Sequence, residues 1–193
     1  MSQDLTAEKA ALRREMKAQL SDITARESAE SSKLILQRLS ALWKAHPSWH
    51  LRPVAAFVPL PSEPGISVFT HSLTDHLTRV IYPRDDSFWP QVDEPFLLIL
   101  IPGLAFDAQG YRLGRGGGWY DRVLSHAAPD ALKVGVCFER QIVARVPHEA
   151  HDVRVDMVVT EDRLIRCLYP TPETRVIPRH EESGLSRNAP HAD

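Results

Sequence analysis

The chain has 193 residues, 43% of them hydrophobic and 25% charged, which is the composition of one soluble globular domain large enough to bury a sizeable core. Its 23 lysines and arginines stand against 25 acids, a formal charge of −2, so no net field exists to hold nucleic acid or a membrane surface non-specifically. No apolar run reaches the ~18 residues that a membrane span needs, and Cys137 and Cys167 are too few for a disulfide framework and lack zinc spacing. A cytoplasmic protein with reduced, buried thiols and a small-molecule ligand is expected, and any anion site must be local.

In chain order, Thr6 can cap a first helix in which Leu12, Met16 and Leu20 recur every fourth residue, beside a parallel basic stripe of Lys9, Arg13 and Lys17. Thr24 and Glu27 form a capping box that opens a second helix, carrying Leu34, Ile35, Leu39, Leu42 and Trp43 toward the core until His46, Pro47 and Ser48 end it. Short apolar runs at 54–58, 80–82, 96–101, 134–138 and 157–160 then predict buried strands. Residues 66–76 and 119–126 have helical length between them. The alternation predicts an α/β fold with a mostly parallel sheet, preceded by an N-terminal helical pair. Ligands of such sheets bind beyond the carboxyl ends of the strands, where Glu63, Arg84 and the Gly114 loop fall. One domain is expected over 1–169. The remainder, 170–193, with Pro170, Pro172, Pro178 and Pro190 among polar residues, is expected to be a mobile tail.

The strongest chemical signal is the run Arg112, Leu113, Gly114, Arg115, Gly116, Gly117, Gly118, Trp119, Tyr120, Asp121, which places four of the nine glycines within five positions. Glycines let backbone amides approach an anion, and a helix start adds unpaired N–H groups, so phosphate is the natural guest. Arg112 and Arg115 can supply charge to a polyphosphate, and Asp121 can hold a divalent cation among its oxygens. The run fits neither a dinucleotide fingerprint nor a P-loop. A second cluster, from Pro147 to Asp156, pairs His148 with His151 and Asp152 with Asp156 at spacings that allow a shared helix face. The nine histidines are scattered, which favours solvated loop positions for this pair, whereas Asp152 stands as a candidate metal ligand. Glu63, followed by Pro64 and Gly65, places a carboxylate on a turn at a strand end.

Taken in order, these pieces resemble the 5-formyltetrahydrofolate cyclo-ligase family, also called methenyltetrahydrofolate synthetase. The resemblance runs from Lys9 and Leu12-Arg13 through Glu63 and Pro83-Arg84. It continues from Pro102-Gly103-Leu104-Ala105-Phe106-Asp107 and Gly110 through Arg112-Leu113-Gly114 to Gly118-Trp119-Tyr120-Asp121. Gln141, Val146-Pro147, Asp152, Asp156 and Thr160-Glu161 complete it. It implies an open three-layer α/β/α sheet and an ATP-dependent and Mg²⁺-dependent cyclisation of 5-formyltetrahydrofolate to 5,10-methenyltetrahydrofolate by a monomer. By the same resemblance, Lys9, Arg13, Arg112, Gly114, Arg115, Gly116, Gly117, Gly118 and Tyr120 would bind ATP, with Arg115 and Tyr120 serving catalysis. Asp121 and Asp152 would hold Mg²⁺, and Val58, Glu63 and Trp119 would bind the reduced formylfolate. Relatives carry a longer insertion where this chain has only the stretch between Arg84 and Pro102. The alternative expectation is a nucleotide-binding member of the family that is non-catalytic or acts on another substrate.

Overall fold

The computed structural model describes residues 2–46, 49, 52–76, 78–82, 96–117, 120, 124, 127, 130–150 and 152–167. The predicted tail, Arg84, and most of the predicted helix at 119–126 lie outside the described residues; of that helix, residues 120 and 124 are described and helical.

Two long helices lead the chain: α1 (Ser2–Ser21) and α2 (Ala25–Lys44). α1 starts four residues before Thr6, so Thr6 is an interior helical residue and not the cap. The capping box of α2 forms as expected: the Thr24 hydroxyl accepts from the Glu27 amide at 3.2 Å, and the Glu27 carboxylate accepts from the Thr24 amide at 2.9 Å. Ile35 and Leu39 are fully buried and Leu42 and Trp43 pack at the margin of the core, but Leu34 turns outward and is 42% exposed.

The sheet contains β1 (Val54–Ala55), β2 (Val80–Ile81), β3 (Leu98–Ile101), β6 (Leu132–Val136), β7 (Met157–Val159) and β8 (Leu164–Arg166). Their order is β2-β1-β3-β6-β7-β8, with every pairing parallel except the last, β7 with β8. α3 (Ser67–Asp75) makes the crossover from β1 to β2. All five predicted apolar runs carry strands, four of them shorter than expected and β6 of the expected length but two residues earlier. The apolar stretch after β1 leaves the sheet, so Phe57 is buried while Val58 is 64% exposed.

Alternate strand residues serve two cores, which is why the runs read as continuously apolar. Val54, Leu98, Leu100, Val134, Val136, Met157 and Val159 face the helices, against Met16 and Leu20 of α1, Ile35 and Leu39 of α2, and Phe69 and Leu73 of α3. Ala55, Ile99, Ile101 and Val158 face the other way, against Phe96, Phe106 and Leu124.

Among the described residues, three strands escaped the sequence reading. β4 (Ala105–Phe106) and β5 (Arg112–Leu113) form a small antiparallel hairpin beside the main sheet, and β8 folds back on β7. The β4–β5 turn is closed by Gly110, whose φ of +86° is open to glycine and strained for other residues. A Cβ there would also run into the Val155 carbonyl oxygen. Gly110→Ala is therefore expected to cost about 2 to 4 kcal/mol, read as a lower urea midpoint with an unchanged slope.

Candidate functional site

The strand order reverses between β1 and β3, since β2 lies on one flank of β1 and β3 on the other. Chain segments leaving adjacent strands at such a point diverge to opposite faces and open a crevice at the strands' carboxyl ends. Glu63 lies in the segment after β1, and Pro102 and Gly103 directly follow β3. Both flank a cleft of about 450 Å³, within the usual range of ~300–1,000 Å³ for ligand sites. Its remaining wall comes from Lys9 and Arg13 of α1, the loop from Arg112 to Gly117, Tyr120, Glu149 and Asp152.

Residues far apart in sequence thus converge here. Lys9 Nζ donates to Asp152 Oδ2 at 2.9 Å and lies 3.9 Å from Glu149 Oε2, while the Glu149 amide donates to the same Asp152 oxygen at 2.9 Å. Arg13 Nε donates to the Gly114 carbonyl at 3.0 Å, fastening α1 to the glycine loop. Arg115 forks onto Glu63, with Nε and Nη2 both donating to Oε1 at 3.1 and 3.0 Å. The Arg112 guanidinium carbon sits 5.5 Å from the centroid of the Tyr120 ring, a cation–π contact that sets one side of the cleft. Burial, with the nearby Glu63 charge adding to it, pushes the Tyr120 phenol well above its ordinary range despite the opposing Arg112 charge. Tyr120 is therefore a hydrogen-bond donor at neutral pH and not a base.

The loop backbone is itself accessible. Gly116 has φ +112°, and Gly117 has nothing within 4 Å of where a Cβ would stand, so a ligand can lie directly on the main chain. Four cationic side chains beside such backbone suit a polyphosphate.

Of the predicted site residues, Lys9, Arg13, Glu63, Arg112, Gly114, Arg115, Gly116, Gly117, Tyr120 and Asp152 all line this one cleft. Val58 does not line it, and Gly118, Trp119 and Asp121 lie outside the described residues. Lys17 is exposed and outside the cleft, so the basic stripe divides after Arg13. His148 is half-buried in its loop and not solvated. Its ring stacks on Tyr111 with centroids 3.4 Å apart, Nδ1 lies 2.9 Å from the Val146 carbonyl, and Arg154 covers Tyr111 at 4.4 Å. His151 lies outside the described residues. Glu149 and Ser62 were missed. Glu149 could have been found from its place three residues before Asp152, but Ser62, which accepts from Arg115 Nη2 at 3.0 Å, carries no sequence signal.

Other polar residues of the family pattern support the fold. Asp107 Oδ1 accepts from the amides of Gln109 and Tyr111, both at 3.0 Å, and Oδ2 from the Val146 amide at 2.9 Å. Gln141 donates to the Gly103 carbonyl at 2.7 Å and accepts from the Phe138 amide at 2.8 Å, holding the chain just past β3 against the segment after β6. Asp156 accepts from the Lys133 amide at 2.7 Å.

The family model of the 5-formyltetrahydrofolate cyclo-ligase family matches residues 86–161. A 5-formyltetrahydrofolate cyclo-ligase of Mycolicibacterium smegmatis is 33% identical over 150 residues, covering 61% of this chain and 77% of that protein. Among solved structures, a 5,10-methenyltetrahydrofolate synthetase of Aquifex aeolicus superposes with a TM-score of 0.68 at 26% identity, over 91% of this chain and 99% of that one. One of Mycoplasma pneumoniae gives a TM-score of 0.70 at 24% identity, over 80% and 99%, and bears on the fold alone. Among the described residues no helix is long and apolar enough to cross a membrane.

Proposed function

Because the chain belongs to the 5-formyltetrahydrofolate cyclo-ligase family, we propose that it uses ATP to cyclise 5-formyltetrahydrofolate to 5,10-methenyltetrahydrofolate, releasing ADP and phosphate. The observation that carries this reading is the convergence of Lys9, Arg13, Arg112 and Arg115 with open glycine backbone on one cleft at the switch point of the sheet.

The formyl oxygen attacks the γ-phosphorus of ATP, forming a C–O–P linkage as the bond to the β-phosphate oxygen breaks and ADP leaves. N10 then attacks the activated formyl carbon, the C–O bond breaks with departure of inorganic phosphate, and the N10 proton is lost. An amide oxygen is a weak nucleophile, so the reaction depends on alignment and on neutralising charge on the transferred group. Lys9, Arg13 and Arg112 hold the polyphosphate, with the backbone from Gly114 to Gly118. Arg115 stabilises the transferring phosphoryl group. Tyr120, held protonated, lies against the nucleotide and donates. Glu63 accepts N–H groups of the folate near its reacting nitrogens, with Trp119 as an apolar or stacking wall; Val58, outside the cleft, is given no role.

Mg²⁺ is ordinarily held by one or two carboxylates together with substrate phosphate oxygens. Asp152, on the cleft wall, and Asp121 would hold it, and the ion when bound supplies further charge neutralisation. ADP release should require ATP, Mg²⁺ and 5-formyltetrahydrofolate together. ATP binding without formylfolate-dependent ADP release would instead support a non-catalytic or altered-substrate member of the family.

A further inference from the structure

Arg115 and Glu63 both line the cleft, yet each is already engaged by the other. Two nitrogens of Arg115 meet Glu63 Oε1 at 3.1 and 3.0 Å, and Nη2 reaches Ser62 Oγ at 3.0 Å. The second carboxylate oxygen accepts from the Leu60 amide at 3.0 Å, so Glu63 is fixed through both oxygens. The pair is asymmetric, with the Glu63 side chain 6% exposed and that of Arg115 37% exposed. A buried, backbone-tethered carboxylate cannot follow its partner into the cleft, whereas the half-exposed guanidinium can swing out. One guanidinium fork cannot serve a carboxylate and a phosphate at full strength together.

We propose that the Arg115–Glu63 pair is a latch shared by two subsites, so that a polyphosphate draws Arg115 away and thereby frees Glu63 to accept N–H donors of a second ligand. This rests on the nucleotide reading above and adds to it that the two ligands reinforce each other's binding. The physical reason is the cost of leaving a buried carboxylate without its cation. That cost opposes the polyphosphate when it binds alone. A ligand whose N–H groups hydrogen-bond to Glu63 offsets it, and linkage makes the benefit reciprocal.

The test begins with inorganic tripolyphosphate, titrated calorimetrically into the full chain. Glu63→Gln, which weakens the hold on Arg115, should tighten its binding roughly five- to tenfold, and Ser62→Ala about twofold. In an Arg115→Ala background, Glu63→Gln should have no effect. Unchanged or weaker binding by folded Glu63→Gln overturns the latch. So does a gain that survives in the Arg115→Ala background, which would mean mere removal of negative charge. A second arm needs no variant: a non-hydrolysable ATP analogue should bind the wild-type chain about fivefold or more tightly when 5-formyltetrahydrofolate is present, and equal affinity with and without it overturns the proposal. Should Glu63→Gln fail to fold, this arm decides. Failure of the nucleotide reading looks different, since neither tripolyphosphate nor the ATP analogue would then bind the wild type at all.

Discussion

Arg115→Ala is expected to lower ATP-dependent methenyl formation by roughly a hundred- to a thousandfold in kcat, the loss typical when one preorganised donor to developing charge is removed. Arg115 belongs to the glycine loop on the cleft wall and is the more exposed partner of its ion pair with Glu63. On the proposed reaction its removal would take a cation from the transferring phosphoryl group, and it would leave the buried Glu63 carboxylate without its cationic partner. The stability cost should be modest, about 1 to 2 kcal/mol, because Arg115 is partly solvated and the Leu60 amide still holds the other Glu63 oxygen. Arg115→Lys keeps the charge but loses the fork, so it should fall between wild type and alanine. A folded Arg115→Ala chain within tenfold of wild-type kcat would remove Arg115 from the chemistry.

Asp107→Ala is expected to be the most damaging single change to stability, at about 3 to 5 kcal/mol in urea unfolding. The carboxylate is 1% exposed and accepts three backbone amides, two within the β4–β5 turn and one from Val146. Alanine strands those donors where water cannot easily replace the carboxylate. It also loosens two parts of the cleft together. The hairpin carries Arg112 and Leu113 into the glycine loop, and Val146 begins the segment that leads through the His148 stack to Glu149 and Asp152. Asp107→Asn should recover part of the loss, because an amide keeps one acceptor oxygen but turns an N–H toward a donor. A loss below about 1 kcal/mol for Asp107→Ala would contradict the assigned role.

The fold was legible wherever a physical signal was long enough to repeat. Buried parallel strands produce unbroken apolar runs, so β1, β3, β6 and β7 could be read directly, as could the half-buried edge strand β2, and the Thr24–Glu27 box marked the start of α2 because both its bonds are local. β4 and β5, as short as β1 and β2, sit in no long apolar run, since Gly103 and Asp107 bracket the first and Gly110 and Gly114 the second. Their only local sign was the turn from Asp107 to Gly110. Thr6 is a capable cap residue inside a continuous helical pattern, and reading it as the start shortened α1.

Much of the cleft was legible too, because glycines and arginines that gather after a strand have few other uses. What the sequence could not reveal was pairing. Lys9 meets Asp152 across 143 positions, and Arg115 meets Glu63 across 52. Nothing local distinguishes a carboxylate that waits for a ligand from one that already holds a cation. Asp107 and Asp152 look alike in sequence, yet the first faces three backbone amides inside the fold and the second lines the cleft.

The most direct measurement of the central claim is absorbance in the methenyl product band as the purified chain is mixed with ATP, Mg²⁺ and 5-formyltetrahydrofolate, beside a control without ATP. The account predicts a rise that requires ATP and is lost in Arg115→Ala. A flat trace from folded wild-type protein that binds both ligands would contradict it.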